Sequence, residues 1–270
     1  MPQLTRILIY PIKSFDAADV TSSNFAPAGG LKFDRRFALV DERGQLINGK
    51  KFPLIHKLRA AFSPDFATVT LTAPDVAPQT FRLASGDAEL EAFCSHYFGQ
   101  PVRLTENDEA GFPDDLASPG PTVVSVATLR TVADWFPTLG LDEVRRRFRA
   151  NLEIDSLAAG TAKDDCPPFW EDRLFAEDAA PESRETVPFR IGSVTLCGVN
   201  PCARCAVPTR DSLAGATYPK FAQEFQSRRR ESLPAWAAAT AFDHYYRLSV
   251  NTRPAPNGTA GTIQIGDVVV

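Results

Sequence analysis

The chain lacks a second cysteine pair. Of its five cysteines only Cys202 and Cys205 stand close together, in the run Val199-Asn-Pro-Cys-Ala-Arg-Cys-Ala-Val-Pro-Thr-Arg-Asp211, while Cys94, Cys166 and Cys197 lie apart. A structural zinc site takes four ligands, usually two such clusters or one cluster with closely spaced histidines; the three histidines, His56, His96 and His244, have no such spacing. Cys202 and Cys205 therefore read as a redox dithiol, two unrelated buried thiols, or one working thiolate with a neighbour. An odd cysteine count argues against a disulfide scaffold and for a reducing compartment. Long apolar runs are also missing: Ile7 to Tyr10 is stopped by Pro11, too short for a signal sequence or a membrane span, so a cytoplasmic protein without a membrane partner is expected. There is no basic excess. A net charge of -4 gives no general attraction for nucleic acid, and any anion site has to be a local patch. Repeats, low-complexity stretches, a Walker loop, a Rossmann glycine fingerprint and a serine-hydrolase elbow are all absent.

What is present suffices for a good core in one large domain or two ordinary ones, with 44% hydrophobic and 23% charged residues over 270 positions. Nineteen phenylalanines and 22 prolines favour short elements joined by fixed turns. Residues 6–10 predict a strand, 37–48 a hairpin turning at Gly44, and 57–62 with 67–72 a second hairpin. Leu90, Phe93, Cys94, Tyr97 and Phe98 recur at helical spacing up to Gly99, which accounts for Cys94 without chemistry. Asn107 to Pro121 is acidic, rich in glycine and proline and aperiodic, the best candidate for a boundary or a loop over a site. Beyond it the pattern predicts a strand at 122–125, helices to about 140 and over 141–147, a strand over 148–154, a hairpin over 189–199, a helix over 220–233 and strands at 245–250 and 262–270. The expected class is mainly β with a few helices, in two halves closed as β-barrels because closure removes exposed edges.

Nearby positive charge turns a thiol into a ligand or nucleophile, and Arg204 and Arg210 are placed to do so. Cys-Ala-Arg-Cys as a thioredoxin-like dithiol would need a helix start after a strand, whereas Pro208 and the preceding hairpin favour a loop. Arg145 to Arg147 and Arg228 to Arg230 suit either a solvated helix face or an anion. Arg149, read in an apolar strand, has to reach solvent, a carboxylate or a bound anion. Lys13, just past the first strand, and Arg35 and Arg36 read as surface cations or anion ligands. The histidines read as ordinary surface or helix-face residues.

Taken together, Tyr10-Pro-Ile-Lys-Ser14, Asp34-Arg-Arg-Phe37, Phe148-Arg-Ala-Asn151, Asn200-Pro-Cys-Ala-Arg-Cys205, Thr209-Arg-Asp211 and Gly261-Thr-Ile-Gln-Ile-Gly-Asp267 resemble the MOSC family, more narrowly the bacterial relatives of the mitochondrial amidoxime reducing component. The resemblance implies an N-terminal β-barrel domain over 1–115, packed on a MOSC β-barrel domain over 116–270. It implies the molybdenum cofactor, a pterin dithiolene carrying a phosphate, with Cys205 as the molybdenum ligand and Cys202 as its non-ligating neighbour. Lys13, Arg35 or Arg36 and Arg149 match positions lining the phosphate and pterin, with Asn151 beside them, and Ser118 and Thr209 fall in cofactor-contacting regions. Asp211 matches an aspartate close after the ligand, as a proton relay or a loop-orienting group. One thiolate suffices because molybdenum prefers soft sulfur donors and the dithiolene supplies two.

The implied reaction is reduction of N-hydroxylated compounds (hydroxylamines, amidoximes, hydroxylamino purines) to amines or amidines, with sulfur chemistry at the same centre, or a cofactor or sulfur carrier without turnover, as alternatives. No cysteine follows 205, so a separate flavin or iron–sulfur protein is expected to supply electrons to a monomeric enzyme; the acidic 106–115 segment is a candidate for attracting it. The family's Arg-Pro-Asn is Arg149-Ala150-Asn151 here, and Arg210 is added beside the cysteine loop, which favours anionic or more polar substrates. Residues 155–188, with Cys166 and Trp170, read as an insertion that shapes the pocket or as a surface loop.

Overall fold

The computed structural model describes residues 1–156, 165–175, 186–256 and 261–270. Strands β1 (Pro2–Ile9), β2 (Ala18–Val20) and β3 (Ser22–Ser23) open the chain, followed by β4 (Phe37–Asp41), β5 (Arg59–Phe62), β6 (Thr68–Thr72) and β7 (Gln79–Arg82). Helix α1 (Ala88–Phe98) begins on Asp87, whose carboxylate accepts the Leu90 N–H, and stops on Gly99 at φ 67. These are the cap and the left-handed stop that its sequence announces. After β8 (Val102–Glu106) and β9 (Val123–Ser125) come helices α2 (Val126–Trp135) and α3 (Leu141–Phe148) and strand β10 (Leu152–Ser156). The hairpin β11 (Val187–Ile191) and β12 (Val194–Ala203) precedes helix α4 (Phe221–Glu231), β13 (Arg247–Pro254) and β14 (Ile263–Gln264).

Among the described residues these strands form four sheets: β11-β12-β13-β9-β10-β1-β2, β5-β6-β7, β4-β8 and β14-β3. None is a closed barrel, and the expected mainly-β, two-barrel class is corrected to a mixed α/β fold. The physical reason lies in the centre of the large sheet, where β9 and β10 run parallel. Parallel neighbours need a crossover, and α2 and α3 supply it. The C-terminal residues join β1 and the edge strand β11 without a continuous ladder, through the isolated bridges Gln3↔Val268 and Ile191↔Val269 and hydrogen bonds such as Val269 N–H to Pro2 O at 2.9 Å and Gly192 N–H to Val268 O at 3.0 Å. Likewise β4 does not take the returning arm of its own turn as a ladder partner, beyond the bridge Val40↔Leu46, but pairs along its length with β8.

Three apolar clusters hold these layers. One lies on the large sheet, around Leu4, Ile7, Ile154, Leu196 and Val250; a second packs α1 against β4 to β8; a third lies under α2, α3 and α4, around Phe136, Phe148, Phe221 and Phe225. Cys166 is buried in the first and Trp170 packs against it, so these two residues are core, while the rest of the expected insertion lies partly outside the described residues. No helix among the described residues is long and apolar enough to cross a membrane. Arg149 also departs from expectation. It is not in a strand but is the cap of α3, at φ 53 and ψ 42, with its N–H donating to Arg145 O at 2.8 Å.

Candidate active site

A cavity of about 720 Å³ opens where the ends of β1, α3 and β12 meet the segments before β4, β5 and β9, within the usual range for a small-molecule site. Its wall carries ten arginines and lysines against six aspartates, in a chain whose net charge is -4. That is the local basic patch an acidic protein needs in order to hold an anion.

Each functional side chain arrives there for a local reason. Pro11 has no N–H to extend β1, so the chain turns; Lys13 N–H donates to Phe37 O at 2.8 Å, and Ser14 takes φ 72. Lys13 is only 7% exposed, and its ammonium donates to Phe112 O at 2.8 Å and Asp114 at 2.9 Å. Burial lowers its pKa, against the pull of Asp114. Arg35, at φ 51, is anchored by its N–H on Tyr10 O and by its guanidinium on Asp34. Arg149 stacks over the Tyr10 ring at 4.1 Å, Arg35 lies over it at 5.4 Å, and Arg149 Nη2 donates to Phe15 O at 2.7 Å. Among the described residues Arg149 has no salt bridge, and burial, with Arg35 adding like charge, pushes its pKa down. The Tyr10 phenol is pushed up to about 12 by burial, in spite of both arginines. Ser118 is buried on the same wall, and its Oγ has no hydrogen-bond partner among the described residues.

Both Cys202 and Cys205 line the cavity as free thiols. The loop that carries them is fixed by Arg204, which donates to Leu248 O and Phe148 O at 3.0 Å each and to Ser249 Oγ. Its guanidinium serves backbone carbonyls, so Arg204 is a rivet for the loop. After Cys205 the chain turns at Pro208, and the Val207 N–H donates to Cys205 Sγ at 3.4 Å, which fixes the sulfur on its loop.

Cys205, Lys13, Arg35, Arg149 and Ser118 therefore share one cavity. Arg36, Asn151, Thr209, Arg210 and Asp211 do not line it. Arg36 pairs with Glu106 and faces a second, smaller cavity. Asn151 is fully buried as a joint between strands, donating to Leu8 O at 3.0 Å and accepting from Thr122. Thr209 donates to Ala206 O at 2.7 Å. Asp211 caps a turn through the Leu213 and Ala214 N–H groups at 2.9 and 2.7 Å, and these donors, the Ala214 one foremost, hold its carboxyl below the ordinary range. Arg210 donates to Lys50 O at 3.3 Å and keeps a buried, unpartnered Nη1. Of the acidic 106–115 segment, Glu106 is paired with Arg36 and Asp114 with Lys13. Arg145 to Arg147 line the wall but are neutralised by Asp142, Glu143 and Glu153, and Arg229 is buried on Asp172. Sequence reasoning missed Tyr10 as an aromatic platform, Asp114 as the partner of Lys13, and His56, which lines the cavity from the 3-10 turn Pro53–Lys57. The signal for Tyr10 was its place directly before the proline that ends β1; nothing local marked the other two.

The MOSC N-terminal beta barrel domain family matches residues 1–112 and the MOSC domain family residues 121–270. The chain is similar to the molybdenum cofactor sulfurase of Anopheles gambiae, 34% identical over 114 residues, 42% of this chain and 12% of that protein. It is also similar to molybdenum cofactor sulfurase 2 of Culex quinquefasciatus, 24% identical over 271 residues, 85% of this chain and 33% of that protein. Molybdenum cofactor sulfurase 1 of Aedes aegypti is 34% identical over 82 residues, 30% of this chain. The chain spans 11% to 33% of the length of these relatives. Among solved structures, the YUAD protein from Bacillus subtilis covers 100% of this chain and 94% of its own at 12% identity, with a TM-score of 0.35, too low to bear on the fold. With both family matches lying in order along almost its whole length, the chain belongs to the MOSC domain family and is related to molybdenum cofactor sulfurase-like proteins.

Proposed function

We propose that the cavity binds the molybdenum cofactor and that the protein reduces N-hydroxylated compounds, in two functional regions dividing near residue 115. The observation that carries the reading is the meeting, on one wall, of a free thiol, Cys205, a half-buried arginine, Arg149, and a buried hydroxyl, Ser118, the last two without a carboxylate or a hydrogen-bond partner respectively among the described residues. These are the complements of a soft metal and of a phosphate, so the residues present fit the cofactor. Among the described residues no cluster of three or more His, Cys, Asp or Glu side chains is arranged to hold a metal ion. Cys205 is then the single protein ligand, its sulfur positioned by the Val207 N–H. Lys13, Arg149 and Ser118 take the phosphate, and Arg35 with Tyr10 the pterin side. Arg36, Asn151, Thr209 and Asp211 act at a distance, by holding the segments that form the wall.

When bound, the cofactor supplies two-electron oxygen-atom chemistry. The net change is R–NHOH plus two electrons and two protons giving R–NH2 and water, the N–O bond being the one that breaks. Electrons come from a separate flavin or iron–sulfur protein. The cationic wall orients polar or anionic substrates, and the buried faces of Tyr10 and Phe148 limit water. A second reading is a cofactor or sulfur carrier without turnover; the names of the curated relatives, molybdenum cofactor sulfurases, support the cofactor and sulfur part of it.

Expression in a host that makes the cofactor, followed by metal analysis, tests the site. Near-stoichiometric molybdenum is expected, lost in Cys205→Ala and retained in Cys202→Ala; its absence in the unmodified protein, or equal loss in both variants, counts against the assignment. Reduction of an amidoxime with a chemical electron donor then separates a reductase from a carrier.

A further inference from the structure

His56 was unremarkable in sequence, yet it faces the candidate site. Its half-buried imidazole lines the cavity, and Nε2 lies 3.3 Å from Gly49 O, a contact that only a protonated Nε2 satisfies. Nδ1 is left as a lone-pair acceptor with no partner among the described residues. The ring is close to the cysteine loop: a β-carbon at Gly49 would stand 3.2 Å from His56 Nε2 and 3.3 Å from Val207 Cγ2, so imidazole and turn meet across that glycine. Val207 is the residue whose N–H donates to Cys205 Sγ.

The rest of the wall offers few acceptors. Arginine and lysine only donate, and the aspartates are each tied to a cation or a backbone N–H. The imidazole is also kept neutral: burial lowers its pKa, and the positive charges of Arg210, Arg149 and Arg59 add to that, against the Gly49 carbonyl. A neutral ring with Nε2 protonated presents an acceptor where a charged one would present another donor.

We propose that His56 Nδ1 accepts the hydroxyl hydrogen of the substrate and thereby selects N–OH compounds over O-alkylated or N-oxide analogues that have no such hydrogen. The inference rests on the N-hydroxyl reading above and narrows its substrate class. His56 is a substrate-binding residue in this account, and it does the proton-facing work for which Asp211, on its turn outside the cavity wall, is not placed.

With three histidines in the chain, nitrogen-15 imidazole NMR resolves His56, its signals assigned by their loss in His56→Gln. The sample is protein from a cofactor-making host, with molybdenum measured on the same material. A neutral ring protonated at Nε2 is expected at pH 7, with Nδ1 shifting on addition of an amidoxime and not of its O-methyl ether. His56→Leu is expected to weaken amidoxime binding about tenfold and leave the ether unchanged, the scale of one hydrogen bond, and His56→Gln, which keeps an acceptor oxygen, to recover most of the loss. A doubly protonated ring at pH 7, an equal response to both ligands, or no response to either overturns the proposal. A selective response without molybdenum upholds the contact and sinks the molybdenum-cofactor reading; molybdenum without a response upholds cofactor binding and sinks the contact.

Discussion

Arg149→Gly separates what the backbone at the end of α3 requires from what the side chain is there to do. Arg149 caps the helix at φ 53 and ψ 42, where an L side chain costs roughly 1–2 kcal/mol and glycine costs little. Its guanidinium recovers part of that through the 2.7 Å bond to Phe15 O and the stack on Tyr10, and gives some back by being half-buried with no carboxylate partner among the described residues. Comparison of Arg149→Gly with Arg149→Ala cancels the side-chain terms, because both variants lose them. What remains is the backbone: the glycine variant is expected to be more stable than the alanine variant by about 1 kcal/mol, or roughly 2–4 °C in Tm for a chain of this size. Both should lose affinity for phosphate equally. A charge-assisted hydrogen bond contributes about 1.5–3 kcal/mol, so calorimetric titration with inorganic phosphate should show Kd raised roughly 10- to 100-fold. Equal stability of the two variants would refute the left-handed cap, and phosphate affinity within about twofold of the unmodified protein would refute Arg149 as the anion ligand.

Two further perturbations test the electrostatics. Asp114 accepts from Lys13 at 2.9 Å and lies 3.5 Å from Lys50, and although burial opposes it, Lys13, Arg35 and Lys50 hold its carboxyl well below the ordinary range. It neutralises Lys13, the cation proposed to take the phosphate, so Asp114→Asn is expected to tighten inorganic phosphate about tenfold by calorimetry, and unchanged or weaker binding would rule the competition out. Since its folded pKa is depressed, the stability it contributes is present above the unfolded value of about 3.9 and disappears as pH falls through the folded one; the asparagine variant should lack that acid-side loss. Glu171 is the opposite case: burial foremost, then the charge of Asp172, raises its pKa, while Oε2 accepts from the Ser125 N–H at 3.2 Å and Thr128 Oγ1 at 3.0 Å. Its contribution is full below the unfolded value of about 4.3 and declines as pH rises through the folded one, so melting curves from acid to neutral pH should fall for the unmodified protein and stay flatter for Glu171→Gln, whose carbonyl keeps both contacts. Parallel curves would sink that assignment.

Local signals carried the elements they govern. Helix α1 lies at 88–98 because Asp87 and Gly99 cap it, and the hairpin of β5 and β6 follows its alternating pattern, with Arg59 opposite Thr72. Pairing at long range was not legible. The ladder of β4 with β8 joins Phe37 to Glu106, and the parallel β9 and β10 are apolar runs that say nothing about direction. Arg149 was misplaced into a strand because Phe148 and Leu152 flank it with the right alternation, whereas the chain there spends three residues leaving a helix.

The site divides in the same way, and the division has a physical cause. Cys205 and Lys13 are marked by their neighbours in the chain, a second cysteine and a strand-ending proline, so they could be found one-dimensionally. Asp211 was chosen by the same nearness, and nearness misled: a turn of a few residues is enough to put its carboxylate on its own backbone N–H groups and off the cavity wall. His56 and Ser118 reach that wall from loops more than 80 residues from Cys205 in the chain. In three dimensions the wall also carries three of the nine non-glycine residues at positive φ among the described residues. Ser14, Arg35 and Arg149 all line it, and all are non-glycine residues at positive φ, where each costs on the order of 1 kcal/mol that glycine would avoid. Stability alone would favour glycine at such positions, and here each side chain has a contact that offsets part of the cost: Ser14 Oγ accepts from the Gly49 N–H, Arg35 donates to Asp34 and Arg149 to Phe15 O. The basic last turn of α3, followed by arginine where a helix of this kind commonly ends on glycine, is the one trace of that choice visible in the sequence.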